Sequence, residues 1–227
     1  MKTLILNIET TTKNCSVSLS KNGDLLALKE INDGGYSHAE NLHPFVDVVL
    51  QEAGYIYSDL SAIAVSKGPG SYTGLRIGVS AAKGFSFALN IPLISVDTLE
   101  ALAHQVKIDS GLIIPILDAR RMEVYQAVYT STYKQIETTK AQVVEANTYD
   151  VFLEKDKVYF IGDAVEKVCN IISHTNAVFV ENRFPSAKEM ISLSYKKYLA
   201  KIFEDVAYFE PYYLKDFIAI KSTKKLF

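Results

Sequence analysis

Cysteine is scarce in this 227-residue sequence: Cys15 and Cys169 are too few and too far apart for a disulfide framework or a thiolate zinc cluster. Long apolar runs are missing as well. No segment approaches the roughly 20 apolar residues of a membrane span. The opening MKTLILNIETT carries an apolar stretch of only about five residues and no cleavage pattern, so no secretory leader is expected and the protein is placed in the cytoplasm. Charge of one sign is not in excess, with 24 Lys and Arg against 26 Asp and Glu. That balance removes the global electrostatic footprint of a nucleic-acid binder, and tight direct binding of nucleic acid by the chain alone is not expected. The basic residues near the end (Lys196, Lys197, Lys201, Lys215, Lys221, Lys224 and Lys225) read as a solvated face and tail.

What is present is a chain with 48% hydrophobic residues, long enough for one large or two small domains. Its organising stretch is SKGPGSYTGLRIGVSAAKGFSFALN, residues 66–90. An apolar run, Ile63 to Val65, leads through Gly68-Pro69-Gly70 into a segment at helical spacing, which reads as strand, tight loop and helix. Such a loop suits either a phosphate cradle at a helix N-terminus or a plain strand-to-helix turn. Gly68, Gly70 and Gly74 do not have the dinucleotide-fingerprint spacing, and no Gly-Lys-Ser/Thr follows. Gly74, Gly78 and Ala82 recur every fourth residue. Because each interior glycine costs about 1 kcal/mol against alanine, something must pack closely on that stripe, either a partner or the chain's own sheet.

In order, the residues predict a buried strand over Leu4–Ile8, a half-buried alternating strand over Cys15–Ser20, a hairpin turn at Asn22-Gly23 and a third strand over Leu25–Ile31. A helix follows, with Ser37 as N-cap and Glu40 completing a capping box; Pro44 must kink it or mark its start. The strand Ala62–Ser66, the glycine-rich helix, the strand Leu93–Val96 and a helix from an Asp97/Glu100 capping box to about Val106 complete a βββαβαβα order. A second unit begins near Gly111, with strands Leu112–Leu117, Val124–Thr130 and, from the least clear pattern, Gln135–Val144. A short helix over Asn147–Lys155, a strand Val158–Ile161, a helix to about Ile172, a strand Ala177–Val180, a helix Ser186–Phe203 and an extended segment Tyr208–Phe227 follow. The expected division is 1–107 and 108–227, the second part more divergent, with its tail packing back on the first.

Four blocks, LILNIETTTKNCSVSLS, VSKGPGSYTGLRIGVSAAKGFSFALNIPLISVDTLEALA, ILDARRMEVYQAVY and YFEPYYLKDFIAIK, resemble the TsaB (YeaZ) family, the accessory subunit of bacterial tRNA threonylcarbamoyladenosine biosynthesis. The resemblance covers most of the chain and is weak between about Thr130 and Ala207. It implies an α/β fold of two ribonuclease-H-like domains, as in the actin, sugar-kinase and heat-shock ATPase superfamily. It also implies a non-catalytic scaffold, without cofactor or metal, that binds a TsaD-like catalytic subunit and with it a TsaE-like ATPase; a homodimer is the alternative for the chain alone. In the family two helices meet the equivalent pair of TsaD, which carries that role onto Leu42, Phe45, Val49, Gly74, Gly78, Ala81, Ala82 and Phe85.

The competing function is a free-standing nucleotide-dependent phosphotransferase. The superfamily places an acid at the end of the first strand of each half, and Glu9 and Asp118 stand there. Three threonines follow the first and Ala119-Arg120 the second, so the glycines that let backbone cradle a phosphate are missing, and the pair reads as a vestigial nucleotide site. His38 and His43 are five apart, about 140° round a helix, and cannot share a metal ion from one helical face. Ser71 and Thr73 have no sequence-evident base, and no Gly-x-Ser-x-Gly elbow is present.

Overall fold

The computed structural model describes residues 2–35 and 37–215. β1 (Leu4–Glu9), β2 (Cys15–Lys21) and β3 (Asp24–Ile31) form an antiparallel meander. The helix α1 (His38–Ala53) then leads to β4 (Ala62–Gly68), α2 (Tyr72–Leu89), β5 (Leu93–Asp97) and the short α3 (Thr98–Ala103). The second series is β6 (Leu112–Asp118), β7 (Glu123–Thr130), β8 (Gln135–Val143), α4 (Asp150–Leu153), β9 (Val158–Ile161), α5 (Val165–Cys169), β10 (Ala177–Val180) and α6 (Met190–Leu199). The sheets have orders β3-β2-β1-β4-β5 and β10-β9-β6-β7-β8. Each has a first strand that pairs antiparallel with the second and parallel with the fourth, so one α/β pattern occurs twice.

Asn22 and Gly23 both take positive φ, as a two-residue hairpin turn between twisted strands requires. β2 departs from expectation. Cys15, Val17 and Leu19 enter the core beneath α1, but Ser16, Ser18 and Ser20 are buried too. Ser18 Oγ donates to Ala187 O at 2.8 Å, Ala187 N donates to Ser16 Oγ at 3.1 Å, and Ser194 Oγ donates to Asn7 Oδ1 at 2.6 Å. The segment around α6 thus covers the polar face of β2 and replaces the water that alternation suggests. The same contacts hold residues 186–189 out of α6, which begins at Met190 rather than Ser186. It ends at Leu199, before Lys201 turns to φ 55°.

Neither expected capping box forms. Ser37 has φ −99° and ψ 21°, and its carbonyl, not its hydroxyl, receives the N–H groups of Glu40 and Asn41. The Asp97 carboxylate pairs with Lys67 at 3.0 Å instead of capping α3. α1 runs unbroken from His38 with Pro44 inside it, which removes the reading in which regular helix starts at the proline. α3 stops at Ala103 and continues to Val106 only through three-residue turns. α5 is likewise shorter than expected, closing at Cys169. The part of the Tyr208–Phe227 prediction beyond Lys215, with Lys221, Lys224 and Lys225, lies outside the described residues.

Two features join the halves. α6 packs Met190 and Leu193 against Ile5, Ala62, Ala64 and Ile94 of the first sheet. Residues 204–215 then run along α2: Lys83 Nζ donates to the carbonyls of Ala207 and Phe209, Tyr212 N donates to Lys67 O, and Lys215 pairs with Glu123 of β7. Among the described residues, no helix is long and apolar enough to cross a membrane.

Candidate functional site

The glycine-rich stretch is filled by the chain itself. Thr10 to Thr12, directly after β1, are buried against it. Thr10 Oγ1 donates to Gly74 O at 2.7 Å, Ser71 N donates to Thr11 O at 2.7 Å, and Ser71 Oγ accepts from Gly74 N at 3.3 Å. A Cβ on Gly70 would meet the Thr11 carbonyl, one on Gly74 the Thr10 carbonyl and one on Gly78 the Thr10 hydroxyl, each well inside van der Waals contact. Close approach of the threonine loop, rather than phosphate, is what these glycines allow. Gly68, at φ 111°, also takes a backbone region that side chains avoid.

The expected site residues separate accordingly. Leu42, Val49, Gly74, Gly78 and Ala82 are buried inside this chain, Leu42, Val49 and Ala82 in the core that α1 and α2 share with the first sheet. The sequence reading puts these residues on a partner face; in this structure they pack against the chain's own sheet and threonine loop. Phe45, Ala81 and Phe85 are half-buried, with Phe85 ringed by His43, edge-on at 5.6 Å, and Tyr57, stacked at 5.7 Å. The outer side of α2 exposes Thr73, Ser80, Gly84, Phe87 and Ala88; Phe87 is 82% exposed and Gly84 has open space where a Cβ would stand.

The two acids also part. Glu9 is 0% exposed, with Oε1 accepting from Thr11 N and Thr11 Oγ1, both at 2.6 Å, and Oε2 unpaired. Burial pushes its carboxyl well above the usual range, against the opposing pull of the Thr11 bonds. Asp118 is exposed in the cleft between the halves. It pairs with Lys167, accepts from Arg120 N at 2.8 Å, and donates through its own N–H to Asp163 Oδ1 at 2.8 Å. Burial raises the Asp163 carboxyl to about 6, while the Asp118 N–H and the charges of Lys167 and Lys13 pull the other way. A replacement Asp163→Asn should therefore flatten the pH dependence of stability between about 4 and 6. Wild type loses stability as pH rises through that window, because the folded state holds the proton more tightly. Thermal melts of the two proteins across the window check this, and parallel curves would refute it.

His38 is buried, and desolvation lowers its pKa so that the ring stays neutral; His43 is exposed, and the two do not converge. No group of three or more His, Cys, Asp or Glu among the described residues is placed to hold a metal ion. Burial pushes the Cys15 thiol up to about 12, which makes it unreactive.

The cleft has a volume of about 850 Å³ and opens between the β1–β2 loop, the start of α2, the β6–β7 turn and residues 212–215. It contains a feature that composition hides. Lys13 from the first half and Arg120 and Arg121 from the second line it together, all exposed. Arg120 and Arg121 both have positive φ, 68° and 52°, a conformation costing a non-glycine residue about 1–2 kcal/mol each. The clue available in the sequence was position: Lys13 and the arginine pair follow Glu9 and Asp118 in the corresponding turns of the two halves.

Comparison with known proteins places this geometry in a family. Residues 34–222 match the family model described as TsaD: tRNA N6-adenosine threonylcarbamoyltransferase. The chain is 37% identical over 161 residues, 70% of each chain, to the Bacillus subtilis (strain 168) protein named tRNA threonylcarbamoyladenosine biosynthesis protein TsaB. It is 28% identical to the protein of the same name from Escherichia coli (strain K12), covering 96% of this chain and 97% of that one. The solved structure of YeaZ from Pseudomonas aeruginosa superposes with a TM-score of 0.79 at 27% identity, over 93% of this chain and all of that one.

Proposed function

This chain belongs to the TsaB (YeaZ) family of tRNA threonylcarbamoyladenosine biosynthesis proteins, and we propose that it acts there as a cytoplasmic, non-catalytic scaffold. Its partner in this reading is a TsaD-like catalytic subunit, and through that subunit a TsaE-like ATPase. The observation that carries it is the outer surface of α1 and α2. There Phe45, Ala81 and Phe85 are only half-covered, and Ser80, Gly84, Phe87 and Ala88 face outward. Small residues beside an exposed aromatic let a second helix pair approach closely. The buried stripe of Gly74, Gly78 and Ala82 takes no part; it supports the face from behind.

Co-purification with the TsaD-like subunit tests the proposal. Gly84→Arg places a long cation in open space on an exposed helical face, so folding should be unchanged or slightly improved, since leaving glycine gains up to about 1 kcal/mol of helix propensity. Association should fall by at least tenfold. A Gly84→Arg protein that stays folded and still co-purifies would move the interface elsewhere.

The alternative, a free-standing phosphotransferase, needs an acid open to a metal-bound nucleotide at the end of β1, and the burial of Glu9 speaks against it. The isolated protein should therefore show no ATP hydrolysis with magnesium. Turnover that disappears in Asp118→Ala would restore the alternative.

A further inference from the structure

Among the described residues, positive charge prevails in the cleft between the halves. Of the described acids lining it, Asp118 is paired with Lys167 and Glu123 with Lys215, which leaves Asp163. Against that single acid stand Lys13, Arg120 and Arg121. None of the three makes an ion pair or a side-chain hydrogen bond to another described residue, although Lys13 lies near enough to Asp163 to affect its charge. Two neighbouring arginines are held in left-handed conformation at a turn where asparagine or glycine is the unstrained choice; backbone groups close that turn, Arg120 N donating to Asp118 Oδ1 and Glu123 N to Arg120 O, and among the described residues neither guanidinium takes part. Tyr212 and Tyr213, 40% and 36% exposed, line the same space and offer aromatic surface beside the cations.

We propose that this cleft contacts single-stranded RNA, with Lys13, Arg120 and Arg121 taking phosphodiester groups and Tyr212 and Tyr213 offering stacking faces for bases. Guanidinium forks fit phosphate oxygens in pairs, and cations interleaved with aromatics form the usual platform for unpaired strands. The inference rests on the scaffold reading for the identity of the RNA, a tRNA substrate held by the assembled complex. Three phosphate contacts are few, so the chain alone binds in the weak, salt-sensitive range, consistent with the absence of tight binding expected from its net charge.

The test is fluorescence anisotropy with a labelled, unmodified tRNA transcript, on the chain alone and with its TsaD-like partner, at about 50 and 200 mM salt. The double variant Arg120→Gly/Arg121→Gly removes charge while suiting the φ values, so it should melt no lower than wild type; Lys13→Gln completes the set. The triple variant should lose at least tenfold in affinity and about two units of salt slope, the share of three contacts to a single strand. Equal binding by wild type and variant, or no binding by wild type in either form, overturns the inference. So does an equal loss from Lys196→Gln/Lys201→Gln, which would make the attraction diffuse, and so does displacement of the RNA by equimolar ATP or pyrophosphate, which would make the cleft a small-anion site. Partner retention is read on the same samples. RNA binding without partner association would sink the scaffold reading and leave this one standing.

Discussion

Gly78→Arg and Ala82→Arg should each leave the chain unfolded, and Gly74→Ala, the addition of one methyl group, should remove about 2–3 kcal/mol of stability. The reason lies in the threonine loop after β1. A Cβ at position 74 enters the carbonyl of Thr10, a backbone atom that cannot swing away, and Thr10 Oγ1 is already committed to Gly74 O. Moving the loop would also break the bond from Ser71 N to Thr11 O and disturb the Thr11 N–H and hydroxyl that donate to buried Glu9. Alanine's better helix propensity returns about 1 kcal/mol, too little to offset such a displacement. At about 2–4 °C per kcal/mol for a chain of this size, the melting temperature of Gly74→Ala should fall by roughly 5–10 °C. Gly84→Ala, on the open face of the same helix, should instead be neutral or mildly stabilising. Circular dichroism melts distinguish the two, and equal behaviour at positions 74 and 84 would show that the loop does not seat against α2 as described.

Glu9→Gln should abolish most of a pH-dependent loss of stability that wild type suffers on the alkaline side. The Glu9 pKa is raised from its ordinary 4.5 by complete burial, so the folded chain holds a proton that the unfolded chain releases. Stability is therefore fully present below the ordinary value and declines as pH climbs toward the folded one, at up to about 1.4 kcal/mol per pH unit for one proton. Glutamine keeps an oxygen for the Thr11 N–H and hydroxyl, and has no charge to bury. Glu9→Ala would leave both Thr11 donors unanswered and should be destabilised at every pH by about 2–4 kcal/mol. Guanidinium midpoints from pH 5 to 9 for the three proteins decide the matter. Wild type and Glu9→Gln with superimposable profiles would mean that Glu9 stays ionised in the fold.

The element order was legible in the sequence because the signals are local. The apolar run of β1, the Asn22-Gly23 turn and the Gly-Pro-Gly break before α2 each act over a few residues. What escaped was non-local. Ser16, Ser18 and Ser20 alternate with apolar residues as on a wet sheet face, yet Ser186 and Ala187, some 170 positions away in the chain, supply hydrogen-bond partners to Ser16 and Ser18, while Ser20 bonds to Ile5 and Asn7 of β1. The stripe of Gly74, Gly78 and Ala82 did signal close packing, but nothing in its spacing says whether the approaching backbone belongs to a partner or to Thr10 of the same chain. The cationic cluster was invisible for a different reason. Net charge sums over the molecule, whereas Lys13 and Arg120-Arg121 matter only because duplicated topology brings two turns to one opening.

The way α6 and residues 204–215 return to the first sheet bears on how the chain is made. A ribosome delivers Ile5, Ala62, Ala64 and Ile94 early, but Met190 and Leu193, which seal that face, emerge only after the whole second half has been synthesised. Until then the side of the first sheet opposite α1 and α2 has only α3, through Ala101, to cover it for the remaining synthesis time. At about 5–20 residues per second that interval is on the order of ten seconds, long compared with collapse. The side of the first sheet that α6 covers is thus the last of its surfaces to be closed during synthesis.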